Sequence, residues 1–260
     1  MRILLTNDDG IYAPGIAALK SQLSDLGDIT VVAPDAERSA VAHSITLDRP
    51  LRVREVYVGE VFLGFGVDGS PADCVKVGVK EILKTAPDLV VSGINLGSNA
   101  GISVLYSGTV AAAFEGAILG VTSVAVSLAS SKKPDFACAA AVASHVMRQI
   151  LSHKPTRGGL FNVNIPNRGM AEIAGVRFAR QSTASYDDIF DVRTDPRGGK
   201  YFWMTGDAYR DAAHPDSDVE LLAAGYVTVT PLQYNLTDVE LLATAAKWRL
   251  GLPEGPNPVR

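Results

Sequence analysis

The segments Arg2–Thr6, Ile29–Ala33, Leu89–Ser92 and Val121–Leu128 are short and almost wholly apolar or β-branched, and the chain between them follows helical patterns. A strand that alternates apolar and polar residues keeps one face in water, whereas one that is apolar throughout must be covered on both sides. Helices predicted over Pro14–Leu26, from Ser70 to Lys84, over Thr109–Leu119 and over Phe136–His153 provide that cover. The alternation predicts an α/β fold, a mostly parallel sheet with helices on both faces. Leu51–Val58 and Val61–Phe65, separated by Gly59-Glu60, predict a hairpin, and Phe161–Ile165 closes this part of the chain.

From about Gly175 the texture changes. Val176–Arg180, Tyr201–Thr205 and Tyr226–Pro231 read as strands among polar, glycine-rich loops, with a short helix at Asp218–Ala224 and a terminal one at Asp238–Leu250. The tail Gly251–Arg260 is rich in Pro and Gly and is expected to fray. Residues 1–174 are therefore expected to form a catalytic core and 175–260 a C-terminal extension within a single functional unit, without internal repeats.

Composition narrows the partners. At 260 residues and 47% hydrophobic the chain has material for a large core, which excludes a disordered polypeptide. Lys and Arg number 24 against 28 Asp and Glu, with no basic stripe of the kind a nucleic-acid duplex binder carries. No apolar run reaches the roughly 18 residues of a membrane span, and the N-terminus enters strand-like sequence directly, without a leader pattern. Cys74 and Cys138 lack the spacing of a metal clip and read as buried thiols of a reducing compartment, with the cytoplasm expected.

In an open α/β sheet the ligand lies beyond the carboxyl ends of the strands, so the residues after each strand matter most. Asn7-Asp8-Asp9-Gly10 follows the first, Pro34-Asp35 and Glu37-Arg38-Ser39 the second, and Gly93-Ile94-Asn95-Leu96-Gly97-Ser98-Asn99 the Leu89–Ser92 strand. Adjacent carboxylates at the end of a buried strand repel unless a cation lies between them. Two readings of Asp8 and Asp9 stand side by side. One caps the helix near Pro14 with one of them; the other places a hard divalent cation there, Mg²⁺ or Mn²⁺ in preference to Zn²⁺. Ser107-Gly108-Thr109 before a helix offers hydroxyls and free N–H groups to an anion, but Ser107 is equally a plain N-cap. Ser70-Pro71-Ala72-Asp73 reads as a helix start, with Ser at the N-cap, Pro at N1 and Asp at N3. His43 could donate a proton or bind phosphate, although an isolated loop histidine more often does neither; His145, His153 and His214 lack ligand spacing.

Taken in order, these segments are more specific than any one of them. Asn7-Asp8-Asp9-Gly10, Ala33-Pro34-Asp35 through Ser39, His43-Ser44-Ile45-Thr46, Gly69 through Val75, Ser92 through Asn99, Tyr106-Ser107-Gly108-Thr109-Val110, Tyr201-Phe202-Trp203 and Gly225 through Pro231 together resemble the SurE family, metal-dependent nucleotidases. The likeness covers essentially the whole chain. It implies a Rossmann-like core, a C-terminal segment swapped between subunits of a homodimer or homotetramer, and one divalent cation per subunit held by Asp8, Asp9, Ser39 and Asn95. It further implies hydrolysis of nucleoside 5′-monophosphates, and for some members of 3′-nucleotides and short polyphosphate.

The expected chemistry is a phosphomonoesterase whose cation polarises a phosphoryl oxygen and activates water. Asp8 or Asp9 serves as general base, and Asn7, His43, Asn99, Ser107, Gly108 and Thr109 meet the phosphate or the rest of the nucleotide. A phosphatase with an aspartyl nucleophile is the nearest rival, but it spaces its two acids one residue apart, whereas Asp8 and Asp9 are adjacent. A nucleotide-binding regulator without turnover is the alternative from another class. A dehydrogenase is disfavoured because no G-x-G-x-x-G follows the first strand.

Overall fold

The computed structural model describes residues 1–129, 132–184, 189–205 and 214–251; of the predicted frayed tail, residues 252–260 lie outside the described residues. In chain order the elements are β1 (Arg2–Thr6), α1 (Pro14–Leu23), β2 (Asp28–Pro34), β3 (Val53–Val58), β4 (Val61–Val67), α2 (Pro71–Val77), β5 (Leu89–Leu96), α3 (Gly108–Ile118) and β6 (Thr122–Leu128). Then follow α4 (Phe136–Ser152), β7 (Leu160–Ile165), β8 (Val176–Phe178), β9 (Ile189–Thr194), β10 (Lys200–Thr205), α5 (Asp218–Ala223), β11 (Val227–Leu232) and α6 (Val239–Ala245).

One sheet runs β3-β4-β2-β1-β5-β6-β7-β11-β8, and β9 with β10 forms a separate hairpin. Strands β4, β2, β1, β5, β6 and β7 are mutually parallel, while β3 and β11 run antiparallel to β4 and β7. From β1 the chain moves outward to β2, and it later returns to β5 on the other side of β1. That reversal leaves a crevice beyond the carboxyl ends of β1 and β5, the place where open α/β sheets bind ligands.

The two-faced burial expected of β1 is present. Ile3 and Leu5 share a core with Leu19 of α1 and Met147 of α4, and Leu4 between them joins Val75 of α2 and Ala112 of α3 on the opposite face. Each such side chain, fully withdrawn from water, contributes roughly 1.5–3 kcal/mol. Helix α1 packs on α4 and α2 on α3, giving three layers.

Element limits shift where tertiary contacts intervene. Helix α1 ends at Leu23, ahead of the predicted Leu26. Helix α2 stops at Val77 and continues as a wider π-type turn through Ile82. Strand β5 runs past the predicted Ser92 to Leu96, because its register against β6 slips after Ser92 and pairing resumes at Asn95. Strand β9 was not predicted, although Ile189, Phe190 and Val192 set among polar residues suit a hairpin partner of β10. The sheet also crosses the expected 174/175 boundary, since β11 and β8 extend it beyond β7. Cys74 is buried as expected, whereas Cys138 is only partly so, and both are free thiols. Among the described residues no helix is long and apolar enough to cross a membrane.

The first turn of α1 lies against β5 so closely that a Cβ at Gly15 would come within 2.1 Å of the Ile94 carbonyl oxygen. Backbone cannot yield as a flexible side chain does, so Gly15→Ala should cost about 1–3 kcal/mol. That predicts a fall in melting temperature of about 3–10 °C, read by differential scanning calorimetry; an unchanged value would mean that α1 does not press on β5 in this way.

Candidate active site

Strand β1 delivers Asn7, Asp8 and Asp9 into the crevice beside β5. Asn7 is fully buried, and its Nδ2 donates to the Gly10 carbonyl at 2.8 Å, closing the turn that carries the two aspartates. The N-cap of α1 is Ala13, with Pro14 following and no side-chain cap, so neither Asp8 nor Asp9 caps that helix. Of the two readings open for the pair, capping is therefore removed.

Asp8 is 6% exposed and sits at the N-terminus of α3. The Thr109 hydroxyl donates to its Oδ1, and a Cβ at Gly108 would lie 3.0 Å from the Asp8 Cβ, so any larger residue there would press on Asp8. Burial pushes the Asp8 carboxyl up, and the hydrogen bonds from Thr109 only partly offset it. Asp9 is less buried, and its pKa rises to about 6, through burial first and then through the charges of Asp8 and Glu37. Three carboxylates thus act on one another, and burial together with the neighbouring negative charges outweighs what relieves either aspartate. Such an arrangement is costly in the protein alone and favourable around a positive ion.

Ser39 follows β2, and its hydroxyl donates to Glu37 Oε1 at 2.6 Å. The Arg38 amide donates to the Asp8 carbonyl at 2.8 Å, which ties this loop to the end of β1. Asn95 is half-buried on the last stretch of pairing of β5, its Nδ2 donating to Gly97 O at 2.7 Å. Among the described residues no group of three or more His, Cys, Asp and Glu is assembled for a metal. A cation here would draw on hydroxyl and amide oxygens besides the two carboxylates, a hard donor set that suits Mg²⁺ or Mn²⁺.

The residues expected on the phosphate divide. Ser107 caps α3, its Oγ accepting from the Val110 amide at 3.1 Å, so the structural reading of that residue holds. Gly108 and Thr109 form the first turn of α3 beside Asp8. Asn99 is held by Asn164, Ser127 and Asn162 through hydrogen bonds of 2.7–3.2 Å. His43 has a partner that the sequence did not suggest: its Nε2 lies 3.0 Å from Glu115 Oε2, so that nitrogen is engaged along α3. Asp73 completes the predicted capping box with Ser70 and also accepts from Thr46, fastening the loop that bears His43.

Sequence reasoning passed over Glu115, Asn162 and Asn164. A signal was available: one carboxylate inside the nearly all-apolar helix around Val110–Ile118, and two amides at alternate positions of an otherwise buried strand. Buried polar groups need partners, and here those partners are parts of the site.

The family model for Survival protein SurE matches residues 3–188. The chain belongs to the SurE family. It is 48% identical to the 5′-nucleotidase SurE of Rhodopirellula baltica, over 96% of this chain and 99% of that one. It is 47% identical to the protein of the same name from Desulforudis audaxviator, over 95% and 97%. Among solved structures, the SurE protein from Aquifex aeolicus superposes with a TM-score of 0.84 at 38% identity, covering 94% of this chain and 98% of that one. The SurE match spans every candidate residue from Asn7 to Thr109 and Glu115 beyond them.

A divalent cation in the crevice must compete with protons for Asp9. Because the folded-state pKa is raised, Asp9 contributes stability to the metal-free protein below the ordinary carboxylate range, and that contribution is lost as pH rises through about 6. Cation affinity moves the opposite way, growing as Asp9 ionises. Mn²⁺ at about a hundred times its dissociation constant should raise the melting temperature by about 5–10 °C at pH 7.5 and by much less at pH 5. A shift equal at both pH values would remove Asp9 from the site.

Proposed function

We propose that this chain hydrolyses nucleoside 5′-monophosphates to nucleoside and phosphate, with one divalent cation per subunit, Mg²⁺ or Mn²⁺, held by Asp8, Asp9, Ser39 and Asn95. The observation that carries the reading is the adjacent Asp8 and Asp9, both raised by burial and only partly relieved by Thr109 at Asp8, with Asp8 against the N-terminus of α3, in a chain whose relatives bear the name 5′-nucleotidase. A regulator without turnover finds no support among those names. When bound, the cation supplies charge that offsets the phosphoryl oxygens and makes water a better nucleophile at neutral pH.

The protein's own groups have separable tasks. Thr109 fixes the orientation of Asp8. Asp9 lacks a side-chain anchor of that kind among the described residues and is the less buried of the two, so of the pair it is the carboxylate we assign to take the proton of the attacking water. The Gly108 amide and the Ser107 hydroxyl, at the positive end of α3, would meet phosphate oxygens. Uncatalysed hydrolysis of a phosphate monoester is among the slowest reactions known, so fixed charges and dipoles of this kind are required.

The C-terminal extension supports a second proposal, a homodimer or homotetramer that exchanges these segments. Phe202, Trp203 and Met204 on the β9–β10 hairpin are 59%, 59% and 68% exposed, and Leu236 and Trp248 flanking α6 are 84% and 57% exposed. Apolar surface of this extent on a separate arm needs a cover, and a second copy supplies an identical one. With free thiols and no membrane-crossing helix among the described residues, a cytoplasmic enzyme is the compartment we favour.

Purified protein should release phosphate from AMP with Mn²⁺ and lose that activity in EDTA. Asp8→Asn or Asp9→Asn should lower turnover by at least about a thousandfold and leave the metal-free melting temperature equal or higher, because a repulsive charge is gone. Near-wild-type rates in both variants, in metal-replete buffer, would remove the pair from catalysis. Transfer should go directly to water, so a chiral thiophosphate ester should be hydrolysed with inversion at phosphorus; net retention would indicate a phosphorylated enzyme. Trp203→Asp should shift the sedimenting species toward the 27.4 kDa subunit; a wild-type protein that is already monomeric would overturn the exchange.

A further inference from the structure

Between β2 and β3 the chain has no regular secondary structure, and this loop carries Glu37, Arg38 and Ser39. Ala40 and Ala42 within it have φ of 53° and 51°, a left-handed conformation that residues with a Cβ adopt at a cost. Most residues from Ser39 to Leu47 are exposed, so apolar burial does not hold the loop in that shape. Its anchors are polar. The Arg38 amide donates to Asp8 O at 2.8 Å and the Ala42 amide to Tyr106 O at 3.1 Å. The Ser70 hydroxyl donates to Ser44 O at 2.7 Å, and Thr46 donates twice to Asp73, at 3.0 and 2.7 Å.

The remaining anchor is of another kind. His43 Nε2 lies 3.0 Å from Glu115 Oε2, and Lys76 Nζ lies 2.8 Å from Glu115 Oε1. Glu115 is 3% exposed in the interior of α3. A carboxylate so placed is unfavourable unless it is paired, and an ionised one can only accept, so the imidazole Nε2 donates. Burial pushes the Glu115 carboxyl up, but the bonds from His43 and Lys76 outweigh it and hold the group below the usual range. The Phe114 ring, 6.2 Å from the imidazole centroid, flanks the contact. One buried charge thus joins α2, α3 and the loop, four residues from Ser39.

We propose that His43, Glu115 and Lys76 form a latch that sets the position of the loop and of Ser39, the residue after the Arg38 amide that is tied to Asp8. His43 and Glu115 are positioning residues, acting on the cation site through the backbone from Ala40 to His43. Arg38 is tied to β1 at one end, and at the other the Ala42 amide on Tyr106 O and His43 on Glu115 together keep Ala40 and Ala42 left-handed. When the His43 tie is cut, the Ala42 amide bond alone holds that end before Ser44, the two alanines relax more readily toward ordinary φ, and Ser39 is held less firmly. The inference rests on the reading of Asp8, Asp9 and Ser39 as a cation site.

The test compares the full-length wild type with His43→Ala, His43→Gln and Lys76→Met. Mn²⁺ binding is measured by calorimetry, amide hydrogen exchange over residues 39–44 by mass spectrometry, and AMP hydrolysis at limiting and saturating Mn²⁺. His43→Ala should weaken Mn²⁺ binding about tenfold, speed exchange over 39–44 by at least about tenfold, and recover kcat to within about twofold at saturating Mn²⁺. His43→Gln retains an amide donor near the position of Nε2 and should restore both binding and protection, a rescue that loss of packing alone would not give. Lys76→Met, which keeps the aliphatic stem, should show the same loss in weaker form and carries the test if His43→Ala does not fold. Unchanged Mn²⁺ affinity and exchange in His43→Ala, or no rescue by His43→Gln, would overturn the latch. A wild-type protein that bound no Mn²⁺ would instead overturn the cation reading, and the exchange data would still decide whether the latch orders the loop.

Discussion

The parallel pairing of β1 with β5 is the contact on which the rest of this molecule depends. Ile3 through Thr6 lie beside Leu89 through Ser92, and both strands are buried on both faces. Along most of its length such a pair holds only apolar side chains, and polar ones begin at its carboxyl end, where the opposed Thr6 and Ser92 hydroxyls are buried without a hydrogen-bond partner among the described residues. Chemistry is displaced to the strand ends, where Asn7-Asp8-Asp9 and Asn95 border the crevice opened by the reversal in strand order. The close approach of α1 to Ile94 and of α3 to Asp8 closes the crevice from both layers.

Within that crevice electrostatics outweighs packing. Two aspartates on consecutive residues, with Glu37 near, occupy a site where burial already disfavours charge. Thr109 compensates Asp8 only in part. The protein keeps a charge arrangement that is unfavourable in the chain alone and would be relieved by a positive ion, a conflict of the kind folds keep at functional sites. Opposite polarity lies alongside: the N-terminus of α3, capped by Ser107, brings its N–H groups beside the Asp8 carboxylate.

Two outlying parts of the structure are understood through what they fasten. The loop after β2 is irregular and exposed, yet it is tied to β1, to the N-termini of α2 and α3, and to a buried glutamate. Beyond β7, the strands β11 and β8 widen the sheet, while the β9–β10 hairpin and α6 carry apolar side chains into solvent. The first arrangement is complete within one chain; the second leaves large apolar side chains in contact with water.

Much of this was legible in the residues themselves. Apolar runs of strand length separated by helical patterns allow one architecture, since only a sheet covered on both faces buries β1, β2, β5 and β6. The helix starts at Ser70 and Ser107 were equally plain, because capping is a local affair between a side chain and an amide three residues on. The adjacency of Asp8 and Asp9 was plain too, as a concentration of like charge at the end of a buried strand. What the sequence could not express were contacts between distant positions: that Thr109 turns to Asp8 101 residues away, that His43 is claimed by Glu115 72 residues on, and that β11 returns to pair with β7. Each depends on which elements the closed fold sets side by side. A hydroxyl or imidazole takes the partner that packing brings within reach, and its own neighbours in the chain carry no trace of that choice.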